Sequence, residues 1–258
     1  MDNSRQLLGV DMATNSATAT EPRNESVRRS ILRSVVTPYW PFTVYVAAYA
    51  VAGIAIASAF SGFSYTVLFA SIGAIYFGLE GLHALDLADE GVATDMDNRV
   101  AFTVGMMEVA LGAALGITIA MITTLWFIPI VMVGTFLGMA YNLEWFDGLL
   151  HDRDKMTGLG NFGVSWGAIP FFGGFYVIHQ SISIGVLVVT LGVGIDAARL
   201  NYQEGHGRIA RYENTGIEHD RDHKSTGDEA RSACHYGNMM SLGAWVSISI
   251  GFLLLFAV

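Results

Sequence analysis

The chain has 258 residues, 52% of them hydrophobic and only 14% charged, against about 25% charged in an average soluble domain. That balance excludes a water-soluble domain, which would need far more polar surface around its core. The formal net charge of −9 leaves little to neutralise phosphates and argues against a nucleic-acid partner.

Residues 1–37 form a polar arm rich in Ser, Thr and Asn. It has no apolar h-region and is not a cleavable signal peptide. It is expected to be a largely disordered cytoplasmic arm, with Arg28, Arg29 and Arg33 at the membrane surface. Seven apolar stretches follow, near residues 40–60, 65–85, 100–119, 125–141, 160–177, 182–200 and 239–258. Each is close to the roughly 20 residues that cross a bilayer as a helix. Residues 38–258 are therefore expected to be an all-α, polytopic transmembrane bundle of about seven helices, with a polar cytoplasmic loop at about 201–236. The 29 glycines suit such a bundle, because they let helix backbones approach closely. Cys234 is the single cysteine and has no partner for an internal disulfide.

The basic residues set the expected orientation. The connections after the second, fourth and sixth helices carry Arg99, then Arg153 and Lys155, then Arg208, Arg211, Arg221, Lys224 and Arg231. The other three connections, near 61–64, 122–124 and 180–183, carry no Lys or Arg. This alternation places the amino terminus in the cytoplasm and makes the chain a multi-pass protein of the cell membrane, in contact with membrane lipids.

Acids and histidines share that sidedness. The second helix ends with Glu80, His83, Asp86, Asp89 and Glu90, and spacings of three, four and seven return to one helical face. The fourth runs out through Asn142, Glu144 and Asp147 to His151 and Asp152; the sixth ends with Asp196, Asn201, Glu204 and His206. Acids at helix ends are ordinary, and Asp95, Asp97 and Asp154 read that way. Glu80, His83 and Glu108 lie a turn or more inside their helices, where ionisable groups default to a functional reading. Asp196 can pair with Arg199 one turn on. The ends of the second, fourth and sixth helices are thus expected to form one polar cavity holding His83, Asp86, Asp89, Glu144, His151, Asn201 and Glu204.

Asp86-Leu-Ala-Asp89, with Gly91 soon after, resembles the first aspartate motif of the UbiA superfamily of intramembrane prenyltransferases. Thr157-Gly-Leu-Gly-Asn-Phe-Gly, followed by Gly167-Ala-Ile-Pro170-Phe-Phe-Gly173-Gly174-Phe-Tyr176-Val, resembles the fifth helix of its menaquinone-type members. Asn201-Tyr-Gln-Glu204-Gly-His-Gly-Arg208 stands where the second motif is expected. The likeness covers about 140 residues, with three departures. Leu85 replaces the asparagine of the first motif, Glu204 and Arg208 replace aspartates of the second, and seven helices are visible where the family usually has nine.

The resemblance implies transfer of a prenyl group from an isoprenoid diphosphate to a lipid or quinone-like acceptor. Asp86, Asp89, Asn201 and Glu204 would be catalytic, with Asp86, Asp89 and Glu204 holding Mg²⁺, a hard cation that prefers carboxylate oxygens. His83, Glu144, His151, Arg153, Lys155, Trp166 and Tyr176 would contact substrate. The tail would lie among rings such as Phe162, Trp166, Phe171 and Tyr176. A second reading takes Glu80-x-x-His83 as half of a di-iron site completed by Glu108, Glu144 and His151. A third is a non-enzymatic seven-helix binding or transport protein. Its retinal version fails, because both lysines, Lys155 and Lys224, lie in loops.

Overall fold

Lipid offers a backbone no hydrogen-bonding partner, so an apolar run of bilayer length folds as a helix that satisfies its own N–H and C=O groups. The computed structural model describes residues 40–89, 98–151, 155–215 and 227–256, with side chains for 42–89, 98–151, 155–202 and 236–256. The helices are α1 (Trp40–Ser61), α2 (Tyr65–Asp89), α3 (Asn98–Ile122), α4 (Ile128–Asn142), α5 (Met156–Gly163), α6 (Ile169–His179), α7 (Ile184–Thr215) and α8 (Gly227–Phe256). Among the described residues there is no strand. A 3₁₀ turn, Leu125–Phe127, leads into α4, and a π-helical turn, Val164–Ala168, joins α5 to α6 as one continuous rod. The eight helices thus make seven rods. Six of them are long and apolar enough to cross a membrane; the seventh is the rod interrupted by the π turn.

The expected helices are all present, and most run further than their apolar cores. The largest difference falls in the polar segment 201–236, expected as a loop. There α7 continues to Thr215 and α8 already begins at Gly227. Polarity marks where lipid ends, but Gln, Glu, Arg and Ala remain good helix formers in water.

Short connections at 62–64, 123–124 and 180–183 gather at one end of the bundle. Asp89, Arg99, Asn142 and Lys155 mark the other, called here the polar face. Outward-pointing Phe69, Met107, Met121, Met132 and Leu253 are each more than 60% exposed. A belt of that kind would drive aggregation in water and is satisfied by lipid. The chain is a multi-pass membrane protein.

Close packing comes from backbone meeting backbone. A Cβ on Gly53 would stand 2.1 Å from the Phe171 carbonyl oxygen, and one on Gly174 2.2 Å from that of Ala50, so α1 and α6 touch without side chains between them. Gly81 and Gly105 seal α2 to α3 in the same way, and Gly192 and Gly251 seal α7 to α8. Without a hydrophobic force between helices in lipid, this fit supplies the association. The α5–α6 rod joins the halves, its Gly163 and Gly167 lying against Gly194 and Ala197 of α7.

Candidate functional site: an intramembrane cavity and its acidic rim

The α1–α6 and α2–α3 pairs do not close on each other completely. Between them, with α4 on one side, lies a cavity of about 170 Å³. Its walls are chiefly apolar or glycine: Ile75, Gly78 and Leu79 from α2, Gly112 and Gly116 from α3, Gly134 from α4, and Gly173 from α6. At the end nearer the polar face it meets Trp166, which is packed with Leu79, Leu82, Tyr141 and Phe162. At the far end it meets Phe127, packed with Ile54, Val67, Ile119 and Val177. The residues it touches on α2 run from Ser71 to Leu82, about 16 Å at the usual helical rise.

Beyond Leu82 the same helix turns acidic. His83 follows directly and is half-buried, as is Asp86 one turn past the cavity; Asp89, two turns past, is exposed. Leu85, in the place of the asparagine expected there, is wholly buried; a Cβ on Gly105 of α3 would meet its side chain at 2.9 Å. That position faces a neighbouring helix, so a polar residue there would be buried against packing rather than offered to a ligand.

Residues 143–151 fold back over this end. His151 Nδ1 lies 2.9 Å from the Tyr141 carbonyl oxygen, which can only accept, so that nitrogen carries the proton. Its Nε2 is 3.8 Å from exposed Glu144. Glu144, Phe146 and Asp147 all take left-handed backbone conformations (φ 48°, 62° and 56°), each with a strain cost of about 1–3 kcal/mol. Asn161 ties the fold-back to the rod, donating from Nδ2 to the Leu150 carbonyl (3.2 Å) and accepting at Oδ1 from the Ser165 hydroxyl (3.1 Å). Lys155 is exposed. Arg153, Glu90, Asp95, Asp97, Asp152 and Asp154 lie outside the described residues.

On α7, Asn201 is buried, and its Nδ2 has no acceptor among the described residues. The Trp166 indole N–H is likewise buried without one. The backbone of Glu204 and His206 lies within α7, but their side chains are outside the described set. Asp196 pairs with Arg199 as read from the spacing (2.9 Å) and also accepts from the Tyr49 hydroxyl of α1 (2.9 Å). The side chains expected to share one cavity come from three parts of the described fold, and that of Glu204 lies outside the described set. α7 packs on α5, the π turn and α8, whereas α2 packs on α3 and α1. His83, Asp86 and Asp89 therefore stand on one helix pair and Asn201 on another, with Glu144 and His151 in the fold-back. Tyr176 lies about 15 Å along the rod from Trp166, stacked on Phe172 toward the opposite face.

Among the described residues, no group of three or more His, Cys, Asp or Glu side chains is poised to share a metal ion. Asp86 and Asp89 lie one turn apart on α2. Mg²⁺ is commonly held by one or two carboxylates plus substrate phosphates and water, so the pair fits a cation that arrives with a diphosphate.

Deeper in the membrane, Glu80 is buried and accepts a hydrogen bond from Thr43 of α1 (2.8 Å). Glu108 of α3 packs beside Gly81, and its Oε2 is buried with no partner among the described residues. Sequence reading singled out both acids but missed Thr43, Asn161 and Ser165. Asn161 alone left a signal, as an amide in a run of glycines and apolar residues. At the opposite face a more open hollow of about 510 Å³, lined by Ser61, Thr66, Thr123 and Gln180 among others, has no titratable side chain among its described lining residues.

Comparison of the chain with family models, characterised proteins and solved structures finds no match. The functional reading therefore rests on the cavity and its rim.

Proposed function

We propose that the chain is a UbiA-like membrane prenyltransferase, moving a prenyl group from an isoprenoid diphosphate to a lipid or quinone-like acceptor. One observation carries this reading: a narrow apolar cavity leads along α2 from Ser71 to Leu82, and Asp86 and Asp89 follow on the same helix. An amphiphile with an apolar tail and a multiply charged head has the same polarity profile. In this reading the amino terminus is cytoplasmic and the polar face meets the cytoplasm, where a water-borne diphosphate is found.

The chain's own residues divide the work. The cavity walls hold the tail and keep water from the reacting carbon. Lys155 and Arg153, in the connection between α4 and α5, would supply positive charge to the head group. In the reaction the bond between the prenyl carbon and the bridging oxygen breaks, and its electron pair leaves with diphosphate. The acceptor's nucleophilic atom forms the new bond to that carbon and gives up its proton. The rings of Trp166, Phe162 and Tyr141, at the tail's head end, present π-faces to positive charge developing on the allylic carbon. Asp86 and Asp89 would hold Mg²⁺, with Asn201 and Glu204 as a second, weaker cluster. Magnesium bound with the diphosphate supplies charge that stabilises the leaving group.

The di-iron alternative has less support. Glu80 is already engaged by Thr43, and Glu144 is exposed, in the fold-back. The test compares two isosteric substitutions. Asp86→Asn should abolish magnesium-dependent prenyl transfer by orders of magnitude while leaving thermal unfolding unchanged. Asp95→Asn, read from the sequence as a solvated loop residue, should be near silent. Equal effects, or no binding of prenyl diphosphates in excess Mg²⁺, would overturn the proposal and make Glu80→Gln the next variant.

A further inference from the structure

The cavity has a floor, and that floor predicts which ligands fit. At the polar end it meets the aromatic group around Trp166; 16 Å or so further along α2 it stops against Phe127. Phe127 stands in the 3₁₀ turn Leu125–Phe127 that redirects the chain from α3 into α4. It is 9% exposed and braced by Ile54, Val67, Ile119 and Val177. Gly173 of α6, which also lines the cavity, leaves room for the ring: a Cβ there would approach it at 3.3 Å. The cavity holds about 170 Å³ along that length. The side walls stay open through glycine. A Cβ on Gly78 would meet nothing within 4 Å, and one on Gly134 only the Ile169 side chain, at 3.3 Å. Both positions line the cavity.

From this geometry we infer that Phe127 is the length gauge of the site: it ends the tail pocket and sets the longest single-chain lipid tail the protein holds without bending it. Gly78 and Gly134 are the positions that keep the pocket open between head and floor. The inference takes from the proposed function only the identity of the tail as an isoprenoid; the gauge itself follows from the cavity.

The experiment measures binding of two ladders to the purified full chain in detergent. One is of prenyl diphosphates and the other of the matching prenyl alcohols, each lengthened by one isoprene unit at a time. Wild type should gain affinity with each unit until the tail reaches Phe127, then gain nothing or lose. Phe127→Ala should move that break one unit longer. Gly78→Leu, about 6 Å from the Leu82 end of the cavity, should move it shorter and weaken longer members at least tenfold. Gly78→Leu adds its side chain where there is open space, so a folded variant is expected even if Phe127→Ala unfolds, and thermal unfolding checks both. A break that stays put in folded Gly78→Leu overturns the inference while leaving the prenyl transfer proposal standing. A break that shifts in the alcohol ladder while the diphosphate confers no added affinity supports the gauge and overturns prenyl transfer. Binding of neither ladder overturns both.

Discussion

Glu80 places a carboxyl group more than two turns inside α2, where water is absent and no lysine or arginine is within its own helix. Its Oε1 is satisfied by Thr43, 37 residues earlier on α1. Leaving a buried oxygen without its donor costs about 1–3 kcal/mol. Thr43→Val, nearly isosteric, should therefore lower stability by that amount in detergent unfolding, while Thr43→Ser should retain most of it. Equal stability of Thr43→Val and wild type would show that the bond contributes nothing. That Glu80 is special was legible in the sequence, since charge so deep in an apolar run stands out. Its partner was not, because threonine is ordinary in a membrane helix and nothing local links residues 43 and 80. The pair Asp196–Arg199 was legible from one-turn spacing; the Tyr49 hydroxyl that joins it from α1 was not, for the same reason.

At the scale of helices, the decisive feature is where glycine replaces a side chain in a crossing. Gly174→Ala would drive a Cβ to 2.2 Å from the Ala50 carbonyl, an atom of rigid backbone, so α1 and α6 must separate. Gly243→Ala meets nothing within 4 Å and should gain up to about 1 kcal/mol from helix propensity. Unfolding of the two variants side by side should show the first clearly destabilised, by more than about 2 kcal/mol on the scale of overpacked cores, and the second neutral or more stable. The reverse order would mean that the close α1–α6 approach is not formed. Glycine enrichment pointed to close packing in general, but all 29 glycines look alike in a sequence. Boundaries were misjudged for a different reason. α7 outruns its apolar core to Thr215 because a helix entering water keeps its hydrogen bonds. The π turn at Val164–Ala168 left no trace in the hydrophobic pattern, yet it splits the fifth rod and carries Ser165 and Trp166, which line the cavity.

At the scale of the whole molecule, the three short connections cluster at one end and every described acid-rich helix end at the other. The orientation proposed above makes the short-loop end extracellular. A cysteine introduced at Phe63, an exposed loop residue, should react with an impermeant thiol reagent in intact cells, and native Cys234 should not. Gly62 is a worse position, since its φ of +85° would strain any L side chain. Labelling of Cys234 from outside would invert the topology and place the acidic rim away from cytoplasmic diphosphates.

Membrane insertion, the number of rods and the alternation of connections were determined by the sequence alone. They depend on how long each contiguous run avoids charge, and a run of about 20 apolar residues must be helical in lipid whatever surrounds it. Which helices pack on each other was decided only by the tertiary structure. Asp86 and Asn201 both sit at the polar ends of helices, yet they belong to different helix pairs, because glycine contacts join α2 to α3 and α7 to α5. The cavity has the same origin. It exists where the α1–α6 and α2–α3 pairs, each sealed by its own backbone contacts, leave a space that no single helix encodes.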